Sequence, residues 1–148
     1  MRRKGLLMVM TLLVSLSIMA QFPGWGAQSK IVTDSIESKV LGAYRQFTIF
    51  LPKSYEVETA KEYPILYLLH GMMDTNSGWT MRGHLKDVMD QLVDSGEVCE
   101  MIIVTPNAGG NIYEGVWNGY FDMPGWSYET FFYTEFLPYI ESNYRVIG

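Results

Sequence analysis

The stretch that decides the fold is YPILYLLHGMMD, residues 63–74. Its apolar run, residues 65–69, follows Pro64 and stops abruptly at His70 and Gly71, after which come two methionines and an aspartate. A continuous apolar run bounded by turn residues is typical of a strand that is covered on both faces. The stretch therefore predicts a central strand whose carboxyl end leads straight into a tight turn.

Helical and strand patterns alternate after this stretch. HLKDVMDQLVDSG, residues 84–96, predicts a helix that Ser95 and Gly96 end. MIIVTP, residues 101–106, predicts a second buried strand, and the Gly-rich and aromatic residues 107–125 predict a long loop. The apolar face of the helix carries Leu85, Val88, Met89, Leu92 and Val93.

A second helix is predicted over SYETFFYTEFLPYIESNY, residues 127–144. Its aromatic and aliphatic residues recur every fourth position, which gives one helical stripe. Pro138 either kinks this helix or begins a new turn, because proline has no backbone N–H. The stripe consists of Tyr128, Phe132, Phe136 and Ile140.

Two more strands are predicted before residue 63. KIVTDSIESKVLG, residues 30–42, alternates loosely between apolar and polar side chains, and YRQFTIFLP, residues 44–52, alternates clearly. Gly42 between them predicts a hairpin. One face of the second strand carries Phe47, Ile49 and Leu51, and the other carries Gln46, Thr48 and Phe50.

The order of these segments predicts an α/β fold. A β-rich beginning is followed by strand, helix, strand and helix, which implies a mainly parallel sheet flanked by helices. Ligands of such sheets bind beyond the carboxyl ends of the strands. Residues 70–73 and 106–110 are therefore the predicted site.

The N-terminus predicts export. Arg2, Arg3 and Lys4 precede residues 6–20, which are almost wholly apolar but fall short of the ~20 residues that a membrane span needs. Residues 1–20, or 1–27, are interpreted as a signal peptide cleaved after Ala20 or Ala27, and residues 28–148 as one domain. We expect a secreted or periplasmic protein, with an uncleaved N-terminal anchor as the alternative.

Charge and cysteine content narrow the possible partners. Without the three basic residues at its start, the chain keeps eight Lys and Arg against sixteen Asp and Glu. This acidic balance argues against nucleic acid, or a membrane after signal cleavage, as a partner. Cys99 has no second cysteine to pair with, and its place before an apolar strand favours core packing. One Cys and two His do not make a zinc site, and we expect neither a metal nor a cofactor.

Three segments resemble one family of enzymes. YPILYLLHGMMDTNSGW resembles the third strand and following loop of esterase D-type α/β-hydrolases, which include feruloyl and acetylxylan esterases and enterochelin esterase-like proteins. GEVCEMIIVTPNAGG is similar to the next strand of that family, and YETFFYTEFLPYIESNYRV to the helix before its nucleophile strand. The resemblance covers roughly residues 30–148 and implies the N-terminal portion of an α/β-hydrolase fold.

The resemblance implies a role for the turn after His70. Acyl transfer passes through a tetrahedral oxyanion, and one backbone donor for it lies just after the third strand of these hydrolases. That donor corresponds to the amide of Met72, and Gly71 would let the backbone turn sharply and approach the substrate. The side chains of Met72 and Met73 would line the acyl or alcohol pocket. The alternative is that both methionines fill the core beneath the loop.

No residue of the catalytic triad is found in the sequence. In this family the histidine of the His-Gly pair is not the triad base, so His70 is expected to hold the loop through its ring, and His84 to be a surface or capping residue. Ser77, Ser95 and Ser127 do not stand in the G-x-S-x-G pattern of the nucleophile. We therefore expect the elbow and triad beyond Gly148, and the fragment alone to be inactive and poorly soluble.

Weaker candidates for substrate binding follow the second buried strand or are aromatic. Asn107 could bind a substrate hydroxyl or tie its own loop. Trp79, Trp117 and Trp126 could stack on sugar or phenolic rings, although packing is the commoner role of tryptophan. The carboxylates of the last helix are expected on a solvated or salt-bridged face, and they are Glu135 and Glu141.

These observations favour a secreted serine carboxylesterase that hydrolyses acyl esters, feruloyl or acetyl, on plant polysaccharide. One alternative is a siderophore-ester or peptide hydrolase on the same fold. Another is a non-catalytic carbohydrate-binding module that has kept the fold without the triad.

Overall fold

The computed structural model describes residues 26–110 and 119–147. The predicted signal peptide, residues 1–20, and Trp117 lie outside these ranges. Within them, none of the helices is both long enough and apolar enough to span a bilayer.

The strands of residues 26–110 are β1 Lys30–Ser38, β2 Ala43–Leu51, β3 Ile65–Tyr67 and β4 Ile102–Pro106. They form a mixed four-stranded sheet in the order β1-β2-β4-β3. β1 and β2 are joined at Gly42 by the predicted hairpin and are antiparallel, and β2 also pairs with β4 in the antiparallel sense. The parallel arrangement that the sequence predicted is confirmed for β3 and β4.

Both faces of the sheet are covered by apolar side chains. One face of β2 contributes Phe47, Ile49 and Leu51 to the larger core, while Phe50 belongs to the smaller core on the other side. All five residues of β4 are buried. The predicted alternation of β2 and the predicted buried strand over residues 101–106 are confirmed.

β3 is shorter and more exposed than its apolar sequence predicted. It has three residues, and Leu66 and the following Leu69 are each 44% exposed. The reason is its place at the end of the sheet, where β4 covers only one of its edges. At the outer edge Tyr63 donates its N–H to Arg145 O (3.0 Å) and accepts from Ile147 N–H (2.9 Å), which makes a parallel bridge to Val146.

The helices follow the predicted order, with short additions. In the first predicted helix, α2 Leu85–Asp94, Leu85 and Met89 are buried and Val93 is half-buried, whereas Val88 is 46% exposed. Cys99 is exposed, so its predicted core packing is wrong, because the buried strand begins only at Ile102. The remaining elements are a 3₁₀ turn Lys53–Glu56, α1 Gly78–Met81, α2 Leu85–Asp94, a ribbon of β5 Asp122–Met123 and β6 Trp126–Ser127, α3 Tyr128–Phe131, a π-helical segment Phe132–Phe136 and α4 Leu137–Asn143.

The last helix contains a π-helical segment before Pro138. Pro138 lies in the first turn of α4, so it begins a new turn after the wider segment. Phe131 is fully buried in place of Phe132, which packs edge-on against Tyr67 with ring centroids 5.4 Å apart. The other three positions of the predicted stripe are buried.

Glu135 ties the last helix to the β1–β2 hairpin. Its carboxylate accepts hydrogen bonds from the Ser38 hydroxyl (2.6 Å) and from the N–H groups of Lys39 (3.1 Å) and Val40 (3.2 Å). The prediction that Glu135 lies on a solvated or salt-bridged face is therefore wrong. Glu141, on the same helix, is exposed as predicted.

Candidate functional site

The candidate site lies where β3 and β4 end. Because the two strands are parallel neighbours, their carboxyl ends reach the same edge of the sheet. The N–H of Ala108 donates to Nε2 of His70 (3.0 Å), which links the loop after β4 to the loop after β3. The expectation that residues 70–73 and 106–110 come together is confirmed.

His70 holds the two loops through both ring nitrogens. His70 is 8% exposed, and its Nδ1 lies 2.9 Å from the carbonyl oxygen of Gly71. Because Nε2 accepts the Ala108 N–H, we assign the ring proton of the neutral imidazole to Nδ1, which donates to Gly71 O. The predicted role of His70 as a residue that holds the loop is confirmed.

The peptide between Gly71 and Met72 has a fixed orientation. Gly71 O also accepts the N–H of Asp74 (3.2 Å) across a turn in which Met73 is left-handed, with φ 65°. In a trans peptide the N–H and C=O point in opposite directions, so the Met72 N–H points away from the His70 ring. This N–H makes no hydrogen bond to any atom of residues 26–110 and 119–147.

Gly71 differs in one respect from its predicted role. The left-handed residue of the turn is Met73, and Gly71 has no positive φ. A Cβ added at Gly71 would meet no described atom within 4 Å. The space on this side of Gly71 is therefore open, and the approach of a substrate there stays a prediction.

The two methionine side chains lie at the surface. Met72 is 79% exposed and Met73 is 69% exposed. The alternative that both fill the core beneath the loop is therefore wrong. Contact between these side chains and a substrate stays a prediction.

The described tryptophans are held by hydrogen bonds. Trp79 donates its indole N–H to Leu69 O (2.9 Å), which places it beside the end of β3, and it is 41% exposed. Trp126 donates to Gly119 O (2.8 Å) and stacks on Tyr128 with ring centroids 5.6 Å apart. Trp126 therefore packs within the loops, and Trp79 alone of these two stands next to the candidate site.

Asn107 ties its own loop. Its side-chain oxygen accepts the N–H of Gly109 (2.9 Å), and its backbone N–H donates to Gln46 O (3.0 Å). This arrangement matches the second of the two roles considered for Asn107. Binding of a substrate hydroxyl by this residue stays a prediction.

Arg45 and Tyr120 also hold the loops of the site, and neither was predicted from the sequence. Arg45 Nη2 donates to Asn107 O (2.9 Å) and Gly109 O (3.0 Å), and burial lowers the pKa of its guanidinium. The Tyr120 hydroxyl accepts the backbone N–H of His70 (2.8 Å), and burial raises the pKa of this tyrosine to about 12. Neither residue belongs to a local motif, so no signal in the sequence separates them from other residues of their segments.

Asp74 anchors the end of the turn. Its carboxylate pairs with Arg82, and this contact lowers the pKa of Asp74 below its ordinary value. Asp74 is therefore a carboxylate at neutral pH. The pair joins the loop after β3 to the segment that follows α1.

An apolar groove of about 210 Å³ lies beside the end of β3. Tyr120 of its lining is half-buried, whereas Leu69, Phe121 and Tyr133 are exposed. The full lining is Leu69, Tyr120, Phe121, Glu129, Phe132 and Tyr133.

A sheet of this topology, with a backbone amide oriented at the end of a strand, defines part of an α/β-hydrolase fold. The model of the Esterase family matches residues 38–147. The chain belongs to this family.

Individual relatives agree with the family. A solved ferulic acid esterase is 72% identical with a TM-score of 0.79, and the match covers 82% of this chain and 46% of that one. A CE1 ferulic acid esterase from Anaeromyces mucronatus, solved with ferulic acid, shares the fold at 24% identity and a TM-score of 0.64, over 80% of this chain and 44% of that one. An endo-1,4-beta-xylanase/feruloyl esterase of Xylanibacter ruminicola is 27% identical over 110 residues, which are 72% of this chain and 15% of that protein. The chain thus spans less than half the length of these relatives.

Proposed function

We propose that the chain supplies the first oxyanion donor, the N–H of Met72, to a secreted serine carboxylesterase. The observation that carries the proposal is the oriented Gly71–Met72 peptide, whose N–H is directed away from its supporting contacts and makes no hydrogen bond within the described residues. A backbone donor of this kind needs no reorganisation when negative charge develops on the substrate oxygen.

The proposed substrates are feruloyl or acetyl esters on plant polysaccharide. Support comes from the ferulic acid esterase that is 72% identical to this chain. The apolar groove and Trp79, both next to the end of β3, add aromatic surface on which a phenolic acyl group could stack. Asn107, Met73 and Trp117 remain proposed contacts of the substrate.

The test uses a chimera, in which residues 28–147 replace the aligned segment of that ferulic acid esterase. We expect the chimera to release ferulic acid from feruloylated arabinoxylan fragments. Met72→Pro removes the N–H and is expected to lower kcat by ~10²–10³, whereas Met72→Ala keeps the N–H and most of the activity. Circular dichroism checks that both variants fold. An unchanged kcat in a folded Met72→Pro variant would rule out the role of this amide.

Export is part of the same proposal. The basic residues 2–4 and the apolar residues 6–20 support cleavage after Ala20 or Ala27. Expression with the native N-terminus, followed by N-terminal sequencing of the secreted product, tests it. A product that still begins at Met1 would contradict cleavage.

A further inference from the structure

The orientation of the Gly71–Met72 peptide depends on what holds its carbonyl. The peptide unit is planar, so fixing the direction of Gly71 C=O fixes the direction of Met72 N–H. Among the described side chains, only that of His70 hydrogen-bonds this carbonyl oxygen, through Nδ1 at 2.9 Å. The Asp74 N–H adds a backbone bond at 3.2 Å.

The His70 ring is itself held in one protonation pattern. Ala108 N–H donates to Nε2, which leaves the proton of the neutral ring on Nδ1, facing Gly71 O. The loop that carries Ala108 is fixed in turn by the Arg45 guanidinium, which donates to the carbonyls of Asn107 and Gly109. The position of His70 Nδ1, the donor to Gly71 O, therefore depends on Arg45 in β2 and on the loop after β4.

Tyr120 holds the backbone of the same histidine. Its hydroxyl accepts the His70 N–H at 2.8 Å, and the two rings lie 5.5 Å apart. The Tyr120 ring contacts the fully buried Tyr128 edge-on, also at 5.5 Å between centroids. His70 is thus fixed at its backbone and at both ring nitrogens.

We propose that His70 and Tyr120 are positioning residues, which orient and polarise the Gly71–Met72 peptide so that its N–H meets the oxyanion. This rests on the proposed function of that amide. Two hydrogen bonds to the Gly71 carbonyl withdraw electron density from the peptide and strengthen its N–H as a donor. A preoriented donor acts on the transition state more than on the bound substrate, so positioning affects kcat and leaves KM almost unchanged.

Two substitutions of His70 in the chimera separate its two ring contacts. The amide of Asn reaches the place of Nδ1 and keeps a donor to Gly71 O, whereas the amide of Gln reaches the place of Nε2 and keeps an acceptor for Ala108. We expect His70→Gln to lower kcat by roughly 10- to 100-fold, and His70→Asn by less than about fivefold, with KM nearly constant in both. The exposed His84, replaced by Asn, is the matched control and should leave kcat unchanged.

The hydroxyl of Tyr120 is tested by Tyr120→Phe. This variant keeps the ring and removes the acceptor of the His70 N–H, and we expect a loss of about tenfold in kcat. Tyr44→Phe, at a tyrosine that is 67% exposed, is the matched control. A Tyr120→Phe variant with unchanged kcat, or with a loss confined to KM, would overturn its role.

A readout without turnover separates this inference from the proposed function. In protein labelled with ¹⁵N-methionine, the Met72 amide resonance should shift in His70→Gln and Tyr120→Phe, and stay near its original position in His70→Asn and His84→Asn. If these shifts appear in an inactive chimera, the positioning holds and the esterase proposal fails. If the Met72 resonance does not respond, or if His70→Asn lowers kcat as much as His70→Gln in an active chimera, the positioning role is wrong.

Discussion

Gly109 shows how closely the two loops of the site approach each other. A Cβ at this position would lie 2.9 Å from the carbonyl oxygen of Asp74 and 3.1 Å from the side-chain oxygen of Asn107. Backbone atoms in a turn cannot move aside as the end of a side chain can. The contact between the loop after β3 and the loop after β4 therefore requires glycine here.

Replacing Gly109 by Ala should lower the free energy of unfolding of the chimera by ~1–3 kcal/mol, because the added methyl overlaps two oxygens. Chemical denaturation measures the change. Gly119→Ala is the control, since a Cβ there meets no described atom within 4 Å, and it should stay within ~0.5 kcal/mol of the parent. Equal stability of the two variants would show that the loops can separate without cost.

Glu100 makes stability depend on pH at the opposite end of the sheet. It accepts hydrogen bonds from the Ser54 hydroxyl (2.5 Å) and from Lys61 Nζ (2.7 Å). Burial alone would raise the pKa of Glu100, but the bonds from Lys61 and Ser54 outweigh it and lower the pKa below 4.5. A lowered pKa in the folded state means stabilisation that is present above about pH 4.5 and is lost as the pH falls through the folded pKa.

We expect Glu100→Gln to lower the free energy of unfolding by ~1–3 kcal/mol at pH 7, because one partner of a partly buried network is removed. The difference from the parent should shrink as the pH falls below 4.5. Denaturation curves of the chimera at several pH values measure it. The exposed Glu62, replaced by Gln, is the control, and a difference that persists at low pH would contradict the assignment.

At the scale of elements, hydrogen bonds join the last helix to the β1–β2 hairpin. Glu135 lies in the π-helical segment and binds the turn between β1 and β2 with three hydrogen bonds. Glu135→Ala should lower the free energy of unfolding by ~1–3 kcal/mol and speed hydrogen exchange at the amides of Lys39 and Val40. Glu141→Ala, on the exposed face of the same helix, should change neither. Unchanged exchange in Glu135→Ala would show that the contact adds nothing to hairpin stability.

Periodicity predicted the elements whose own side chains decide their structure. α2 and β4 were found where the spacing of apolar residues placed them. The length of β3 could not be predicted, because its neighbours in the sheet set it, and the π-helical segment before Pro138 was not predicted either. The His-Gly turn was predictable from a local motif. Arg45 and Tyr120 were not, since they reach the site across large separations in sequence.

At the scale of the whole molecule, the sheet ends at β3 among the described residues. Leu66 and Leu69 are exposed there, and a strand edge with apolar side chains favours pairing with another chain. We expect the 148-residue chain to self-associate through this edge. Leu66→Lys should reduce light scattering more than Val88→Lys, which adds the same charge at an exposed position of α2. If both variants reduced the light scattering equally, net charge and not the edge of β3 would explain the effect.

The bridge between Tyr63 and Val146 also sets an order of events on the ribosome. The β1–β2 hairpin is complete in the nascent chain soon after residue 51 has emerged, whereas the outer edge at Tyr63 must wait for the partner that is made more than half a chain later. At ~5–20 residues per second this wait lasts roughly 4–17 s. We expect the backbone of Tyr63 to stay unpaired on this side throughout that interval, and to be open to chaperones and to neighbouring nascent chains.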